Sequence, residues 1–348
     1  MIIDKGQVKK ILIIKLRGIG DVILSTGIIK NLIAQFPGVK IDYLTEKPSK
    51  TALTGINDIN EILLLERNSN AQKIKLIREI RKSNYDLILD FFSNPTTAII
   101  TFLSGAKYRC GFPYRGRKYA YNLFGPRERQ AFHSADLHFK TLENLGIPIR
   151  SKELAFSLTN DEKNFADDFF NNAGLTGKTV VGISPSGGWN SKKCNPKKFA
   201  EFVIAIHNKF NVDFLIVWGP GDYNDAEIIK SSLIFQTYLA PPTTIKQMAA
   251  LMGKCSAVIA NDSGPMHISA AMGVPTLALF GPTDPRLQGP YGEKNETVRL
   301  ESLECINCNL TECPKNQECF NEMPADLVLG KFTGMIKKNN ISAVLRNE

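Results

Sequence analysis

The run Asn-Asp-Ser-Gly-Pro-Met-His at 261–267 joins a carboxylate, a hydroxyl, a glycine and a proline where a buried apolar segment, 257–260, gives way to a helical one, 265–272. Proline costs nothing in the first turn of a helix, whose N–H groups lack intrahelical acceptors. Ser263 and Gly264 enter the turn without bulk, so the N–H groups of Gly264, Met266 and His267 and the positive end of the helix dipole can converge on one anion, such as a diphosphate. Asp262 or Ser263 could equally be a plain N-cap. Gly273 and Pro275 end the helix, and a strand at 276–280 leads to a second loop, Gly-Pro-Thr-Asp-Pro, in which Thr283 and Asp284 are candidates to bind hydroxyls or simply to shape the loop. Parallel α/β sheets bind ligands at this carboxyl edge. His267 has no metal-ligand partners or nucleophile near it in sequence and reads as a hydrogen-bond donor to the same ligand.

A second candidate lies near the start, where the apolar run 11–16 is followed by Arg17-Gly18-Ile-Gly20-Asp21 and a helical stretch. It imitates a dinucleotide fingerprint, but Ile23 stands where the third glycine belongs and Asp21 stands where a pyrophosphate would sit. The site suits a carboxylate that acts as a base. A helix N-terminus favours its charged form, and Gly18 and Gly20 leave room for a hydroxyl to approach. A plain N-cap is the alternative.

Steps of strand and helix must position these groups. Apolar runs at 11–16, 40–45, 61–65, 86–92 and 108–111, with helices near 22–36 and 71–84, form one βαβ series. Runs at 180–184, 214–218, 257–260 and 276–280, with helices near 196–209, 222–232, 244–252 and 265–272, form another. A helix at 161–172 lies in the connection, and the boundary falls near 155–178.

With 348 residues, 43% hydrophobic and 22% charged, the chain has the makeup of a soluble protein of two domains. Its seven cysteines and lack of a secretory signal point to a reducing cytoplasm, and no apolar run approaches the ~20 residues of a membrane-spanning helix. A net charge of +9 favours an acidic partner. No zinc-finger or RNA-recognition signature is present, so nucleic acid is not expected.

The segments at 261–267, 273–275 and 280–285, with Gly20-Asp21-Val22, resemble glycosyltransferase family 9, the ADP-heptose:lipopolysaccharide heptosyltransferases. The resemblance implies a GT-B architecture of two Rossmann-like parallel-sheet domains facing a cleft: 1–160 binding acceptor and carrying the base, 175–323 binding donor, and 324–348 as a helix packing back on the first domain. It implies an inverting transfer of heptose from ADP-heptose to a Kdo or heptose acceptor of the lipopolysaccharide inner core, with Asp21 deprotonating the attacking hydroxyl in a single displacement. It also matches Lys192 to the lysine that contacts donor phosphates, with Lys193 a rival because Cys194 stands where the family often has tryptophan. Asp222, in Trp-Gly-Pro-Gly-Asp, falls where the family has a glutamate that binds ribose; it could alternatively cap the next helix. Met248 falls where the family packs adenine, although a lone methionine is as readily core. Ser184 and Ser186, at a strand's carboxyl end, add possible hydroxyl donors.

On the acceptor side, Arg109, Arg115, Arg117 and Lys118 interleave with aromatics and could bind phosphates and carboxylates of the inner core or form a solvated loop. Arg17, Gly18, Gly20 and His133 complete the acceptor set. The stretch at 96–103 could face lipid or the core. No Asp-x-Asp occurs, so a metal-independent route with no required cofactor fits better. The cluster Cys305-x2-Cys308-x4-Cys313-x5-Cys319 could hold a structural zinc or carry free or redox-paired thiols; its spacing is not that of a standard ribbon, and zinc is not favoured. The expected location is the cytoplasmic face of the inner membrane, in peripheral contact with its anionic surface. Donors other than ADP-heptose, a UDP-sugar 2-epimerase-like isomerase and a non-catalytic glycan-binding module are the competing readings.

Overall fold

The computed structural model describes residues 3–342 and 345, and the chain divides into two compact units, Met1–Ser157 and Leu158–Glu348. The last residues of the 324–348 segment, apart from Leu345, lie outside the described residues.

In the first unit β1 (Lys10–Ile14), α1 (Ile19–Thr26), α2 (Ile29–Gln35), β2 (Lys40–Thr45), α3 (Lys47–Leu53), β3 (Glu61–Leu64), α4 (Asn70–Lys82), β4 (Leu87–Asp90), α5 (Pro95–Leu103), β5 (Tyr108–Gly111), β6 (Leu123–Phe124) and α6 (Ser134–Asn144) follow one another. All strands are parallel, in the order β3-β2-β1-β4-β5-β6. Strands β1 and β4 are apolar at nearly every position because both faces of a parallel sheet are covered. The single helix expected over 22–36 is two, α1 and α2, broken at Gly27-Ile28. A Cβ on Gly27 would lie 2.7 Å from the Phe139 ring, so the chain passes α6 too closely there for a larger residue.

The second unit runs α7 (Asn160–Asn172), β7 (Val180–Ser184), α8 (Pro196–Lys209), β8 (Asp213–Ile216), α9 (Tyr223–Ser232), β9 (Thr237–Leu239), α10 (Ile245–Gly253), β10 (Ala257–Asn261), α11 (Gly264–Ala271), β11 (Thr276–Leu279), α12 (Pro285–Gln288), β12 (Glu296–Val298), α13 (Glu318–Asn321) and α14 (Ala325–Lys338). Its parallel sheet, β12-β11-β10-β7-β8-β9, repeats the first unit's topology. Both have the doubly wound order that reverses direction beside the first strand, which opens a crevice at the strands' carboxyl ends. The crevice lies between β1 and β4 in one unit and between β7 and β10 in the other.

Residues 324–348 were expected as a helix packing back on the first domain. Within its own unit α14 packs on α8, β11 and β12, and its Val328, Phe332, Met335 and Ile336 are buried in that unit's core with Phe199, Val203, Leu277 and Leu279. The cause is in its own sequence: the i, i+4, i+7, i+8 apolar stripe is the face that a helix covering a sheet edge needs.

Candidate functional site

At the crevice of the second unit, β7 ends in Ser184 and β10 in Asn261, both fully buried. Asn261 ties the two loops together: its Nδ2 donates to the Pro185 carbonyl at 2.7 Å and its Oδ1 accepts from the Cys194 N–H at 3.4 Å. Beside it the Lys192 ammonium lies 2.6 Å from an Asp262 carboxylate oxygen, with only 7% and 4% of the two side chains exposed. The same oxygen accepts the Thr283 hydroxyl at 2.5 Å, and the ammonium stands 4.2 Å from the centre of the Trp189 ring. Lys192, Asp262 and Thr283, from three separate loops, thus form one buried cluster at the carboxyl edge. Lys193 points elsewhere, to Asp222 and to Asp225 at 3.3 Å. Partial burial works against its charge, but the two carboxylates outweigh this and raise its pKa.

Ser263 occupies the N-cap position of α11 in extended conformation, yet its side chain makes no cap hydrogen bond and donates to the Asn261 carbonyl instead. Asp222 likewise sits at the N-cap of α9 without capping it. Among the described residues the Ser263 side chain does not cap the start of α11, a helix start of the kind that attracts an anion. Next to it, the hydroxyls of Ser184 and Ser186 are buried with no hydrogen-bond partner among the described residues. A Cβ on Gly219 would lie 3.4 Å from an Asp222 oxygen and 3.7 Å from the Ser186 hydroxyl, so Ser186 and Asp222 face one another across that glycine. Buried polar groups in folded proteins are normally paired. Two unpaired hydroxyls, a buried lysine and a helix start without a side-chain cap have the chemistry that a polar, anionic ligand calls for.

In the first unit Asp21 lies in the first turn of α1, whose N-cap is Gly18. Gly18 has φ +81°, and a Cβ there would stand 2.6 Å from an Asp21 oxygen, so both the turn and the carboxylate's position require glycine. Asp21 is partly exposed, with 38% of its side chain accessible, and its nearest cation is Lys15, 3.5 Å away and almost completely buried. Burial lowers the pKa of Lys15, and the field of Asp21 opposes that shift. Arg17 is exposed, with its guanidinium 5.8 Å from the centre of the Phe92 ring.

The family model for glycosyltransferase family 9 (heptosyltransferase) matches residues 73–318. The chain belongs to glycosyltransferase family 9. It is 24% identical over 299 residues to the lipopolysaccharide core heptosyltransferase OpsX of Haemophilus influenzae, covering 84% of each chain. Among solved structures it resembles the family 9 glycosyltransferase of Veillonella parvula (TM-score 0.82, 20% identity, 96% of this chain and 99% of that one). It also resembles the ADP-heptose lipopolysaccharide heptosyltransferase II of E. coli (TM-score 0.74, 21% identity, 95% and 99%). The protein is thus a glycosyltransferase enzyme of the GT-B fold class.

Several site candidates of this family 9 chain hold structural posts. Asp284 caps α12 through the Arg286 N–H at 2.9 Å and is gripped by the Arg286 guanidinium, whose hydrogen bonds lower its pKa. Its carboxylate is committed within its own loop. The Nδ1 of His133 accepts from the Ala135 N–H at 3.1 Å, capping α6. Arg109 donates to the Ala120 carbonyl at 3.0 Å and the Ala106 carbonyl at 2.7 Å, fastening β5 to the loop before β6. Arg115 and Lys118 are exposed and, with Pro113, Gly116 and Tyr119, line an open recess of about 450 Å³. The Arg117 guanidinium lies 4.9 Å from the centre of the Tyr114 ring. Met248 is 5% exposed and sits on α10, His267 is buried in α11, and Gly20 is buried in α1.

Sequence reading missed a buried polar layer beneath Asp21. Asp90, at the carboxyl end of β4, accepts from the Phe92 and Ser93 N–H groups at 3.0 and 2.7 Å and from the Tyr121 hydroxyl at 2.8 Å. Burial nevertheless raises its pKa. His138 of α6 is buried, has Nδ1 3.3 Å from the Leu24 carbonyl, and has its pKa pushed well below the ordinary value by burial and by Lys15. The signal was present in the charged Lys15 inside an otherwise apolar run, Ile-Leu-Ile-Ile-Lys-Leu.

All seven cysteines are free thiols, and among the described residues no group of three or more His, Cys, Asp or Glu side chains is spaced to hold a metal ion. Cys305, Cys308, Cys313 and Cys319 nonetheless line one small cavity with Ser191, Gly281 and Pro282. Burial pushes the Cys319 thiol up to about 11. Their segment braces the loops that carry Lys192 and Thr283: Thr311 accepts from the Ser191 N–H at 3.1 Å, Gln317 donates to the Asn190 carbonyl at 2.7 Å, and Asn309 donates to the Pro282 carbonyl at 2.9 Å.

Proposed function

We propose that this enzyme transfers heptose from ADP-heptose to a Kdo or heptose hydroxyl of a lipopolysaccharide inner core, with inversion and without a metal. The observation that carries the reading is the buried Lys192–Asp262–Thr283 cluster beside the unpartnered Ser184 and Ser186 hydroxyls. The donor assignment draws support from the E. coli relative, named as an ADP-heptose heptosyltransferase, and the acceptor assignment from the lipopolysaccharide core enzyme of Haemophilus influenzae.

In this reading the diphosphate sits at the start of α11, against the N–H groups of Gly264, Met266 and His267. Asp262 holds the Lys192 ammonium in place, so it stabilises charge that builds on the departing ADP without reorganising. Ser184 and Ser186 donate to phosphate or ribose. Asp222 accepts from ribose hydroxyls, and its ion pair with Lys193 positions it. Met248 lies against adenine, and Thr283 orients the sugar through Asp262. In the first unit Asp21 takes the proton of the acceptor hydroxyl as that oxygen attacks the anomeric carbon. The C1–O bond to the diphosphate breaks in the same displacement, and the electron pair leaves on ADP. Gly18 and Gly20 admit the hydroxyl, and the exposed bases Arg17, Arg115 and Lys118, with the half-buried Arg117, meet the acceptor's phosphates and carboxylates. The work takes place at the cytoplasmic face of a membrane whose anionic surface the basic chain contacts.

Calorimetric titration with ADP, UDP, GDP and CMP, with and without EDTA, tests the donor side. Selective binding of ADP that survives chelation is expected. Preference for UDP, or loss of binding with EDTA, overturns the donor and metal assignments. Transfer from ADP-heptose to a Kdo-bearing acceptor, with the anomer of the product read by NMR, tests the rest.

A further inference from the structure

The outer side of α5, joined by Tyr119 from the loop that follows β5, carries apolar side chains that the reading of sugar transfer above does not use. Thr97, Ala98, Ile100 and Thr101 turn inward, while Ile99, Phe102 and Leu103 are 46%, 49% and 38% exposed. The i, i+3, i+4 spacing puts these three on one helix face. Tyr119, 54% exposed, extends that face, its ring edge-on to Phe102 with centroids 5.4 Å apart. The face is held firmly: a reciprocal capping box, with Asn94 accepting from the Thr97 N–H at 2.8 Å and donating to the Thr97 hydroxyl at 3.0 Å, fixes the start of α5. Large apolar side chains grouped on a surface mark an interaction site.

The charge around this face selects the partner. Between Asp90 and Glu128 the chain has no Asp or Glu, but it has Lys107, Arg109, Arg115, Arg117, Lys118 and Arg127. Arg115 and Lys118 share their recess with Tyr119, and Lys118 shares a second one with Phe124 and Arg127. On the other flank Arg81 of α4 donates to the Leu103 carbonyl at 3.1 Å. We propose that this face docks on an anionic lipid bilayer: Ile99, Phe102, Leu103 and Tyr119 enter the headgroup region, and the surrounding Arg and Lys side chains meet lipid phosphates. Apolar side chains with a cationic surround are what interfacial binding requires. A second copy of the chain fits less well, since a two-fold contact would set one basic face against another. The inference deepens the reading of a membrane-borne acceptor and rests on it for its purpose.

The test is co-sedimentation of the full chain with vesicles of phosphatidylglycerol and phosphatidylcholine, or of phosphatidylcholine alone. Binding is expected only to the anionic vesicles, with loss at high salt, and the double variant Ile99→Ser/Phe102→Ser is expected to partition at least about tenfold more weakly. ADP calorimetry on the same variant checks its fold and is expected to match the wild type. The Phe102→Trp variant, whose emission brominated anionic lipid should quench, reports insertion without removing the apolar side chain. Equal binding by wild type and double variant, equal binding to neutral vesicles, no quenching, or a dimer that the double variant converts to monomer each overturns the proposal. Loss of the donor assignment would instead appear as absent ADP binding in a wild type that still sediments with anionic vesicles.

Discussion

Replacing Lys192 with methionine should separate the stability of its buried cluster from the donor binding proposed there. The substitution keeps an unbranched chain of similar length against the Trp189 ring but removes the charge that lies 2.6 Å from Asp262. Removing one partner of a buried ion pair typically costs about 3–5 kcal/mol, because the other charge stays desolvated. Asp262 keeps the Thr283 hydroxyl, so the lower end, about 3 kcal/mol, is expected here. If the same ammonium also meets the donor diphosphate, a charge-assisted hydrogen bond worth about 1.5–3 kcal/mol is lost from binding. That corresponds to about 10- to 150-fold in the Kd for ADP. Adding Asp262→Asn should recover most of the lost stability, since the orphan carboxylate is gone, but none of the lost affinity. Urea unfolding and ADP calorimetry on the wild type and both variants read the two quantities separately. Lys193→Met is the control: the Lys193 side chain is 25% exposed, so its loss should cost less stability than that of Lys192. Folded Lys192→Met protein that binds ADP within about twofold of wild type, or a larger affinity loss in Lys193→Met, would refute the assignment of Lys192 to the diphosphate.

Three further outcomes follow from the first unit and the pH linkage. Asp21→Asn should leave ADP affinity intact and lower turnover by ~10²–10⁴; near-wild-type turnover, measured as ADP release with acceptor present, removes Asp21 from the mechanism. Gly18→Ala places a Cβ 2.6 Å from an Asp21 oxygen at φ +81°. It should lower turnover through displacement of the carboxylate and destabilise the unit by about 1 kcal/mol, with unchanged kinetics the refuting result. His138 has its pKa lowered in the fold, so the unfolded chain binds the extra proton first as pH falls. Stability is therefore lost below the unfolded value near ~6.5 and continues to fall until the folded value is reached, by up to about 1.4 kcal/mol per pH unit. Urea midpoints for the wild type and His138→Gln between pH 7 and 5 check this; identical pH dependence in the two would show that His138 is not held neutral.

Much of both sheets could be read in the sequence because parallel strands covered on both faces are apolar at successive positions, as in Ile11–Ile14 of β1 and at 257–260 of β10. The edge strands β6, β9 and β12 are two or three residues long and pair on one side, so no apolar run announces them. The strand-to-helix turn at 261–267 was legible because glycine, proline and small polar residues are a local requirement of such a turn. Which of Lys192 and Lys193 enters the site was not, since the short 3-10 turn at Asn190–Lys192 turns one ammonium to Asp262 and leaves the next to Asp222 and Asp225. The caps made by Asp284 and His133 were not legible for a related reason. A polar side chain before a helix looks the same whether it faces a ligand or its own backbone, and only the hydrogen-bond partner decides. By that criterion Ser263 and Asp222, which occupy cap positions without capping, are stronger site candidates than Asp284 and His133, which cap. The same criterion brings Lys15 forward: a lysine held almost fully buried 3.5 Å from a half-exposed aspartate has no solvation to gain there, so its position is explained by what it does to Asp21. Lys15→Met should consequently alter the pH dependence of turnover rather than ADP affinity, and a pH–rate profile superimposable on the wild type would reduce Lys15 to a packing role.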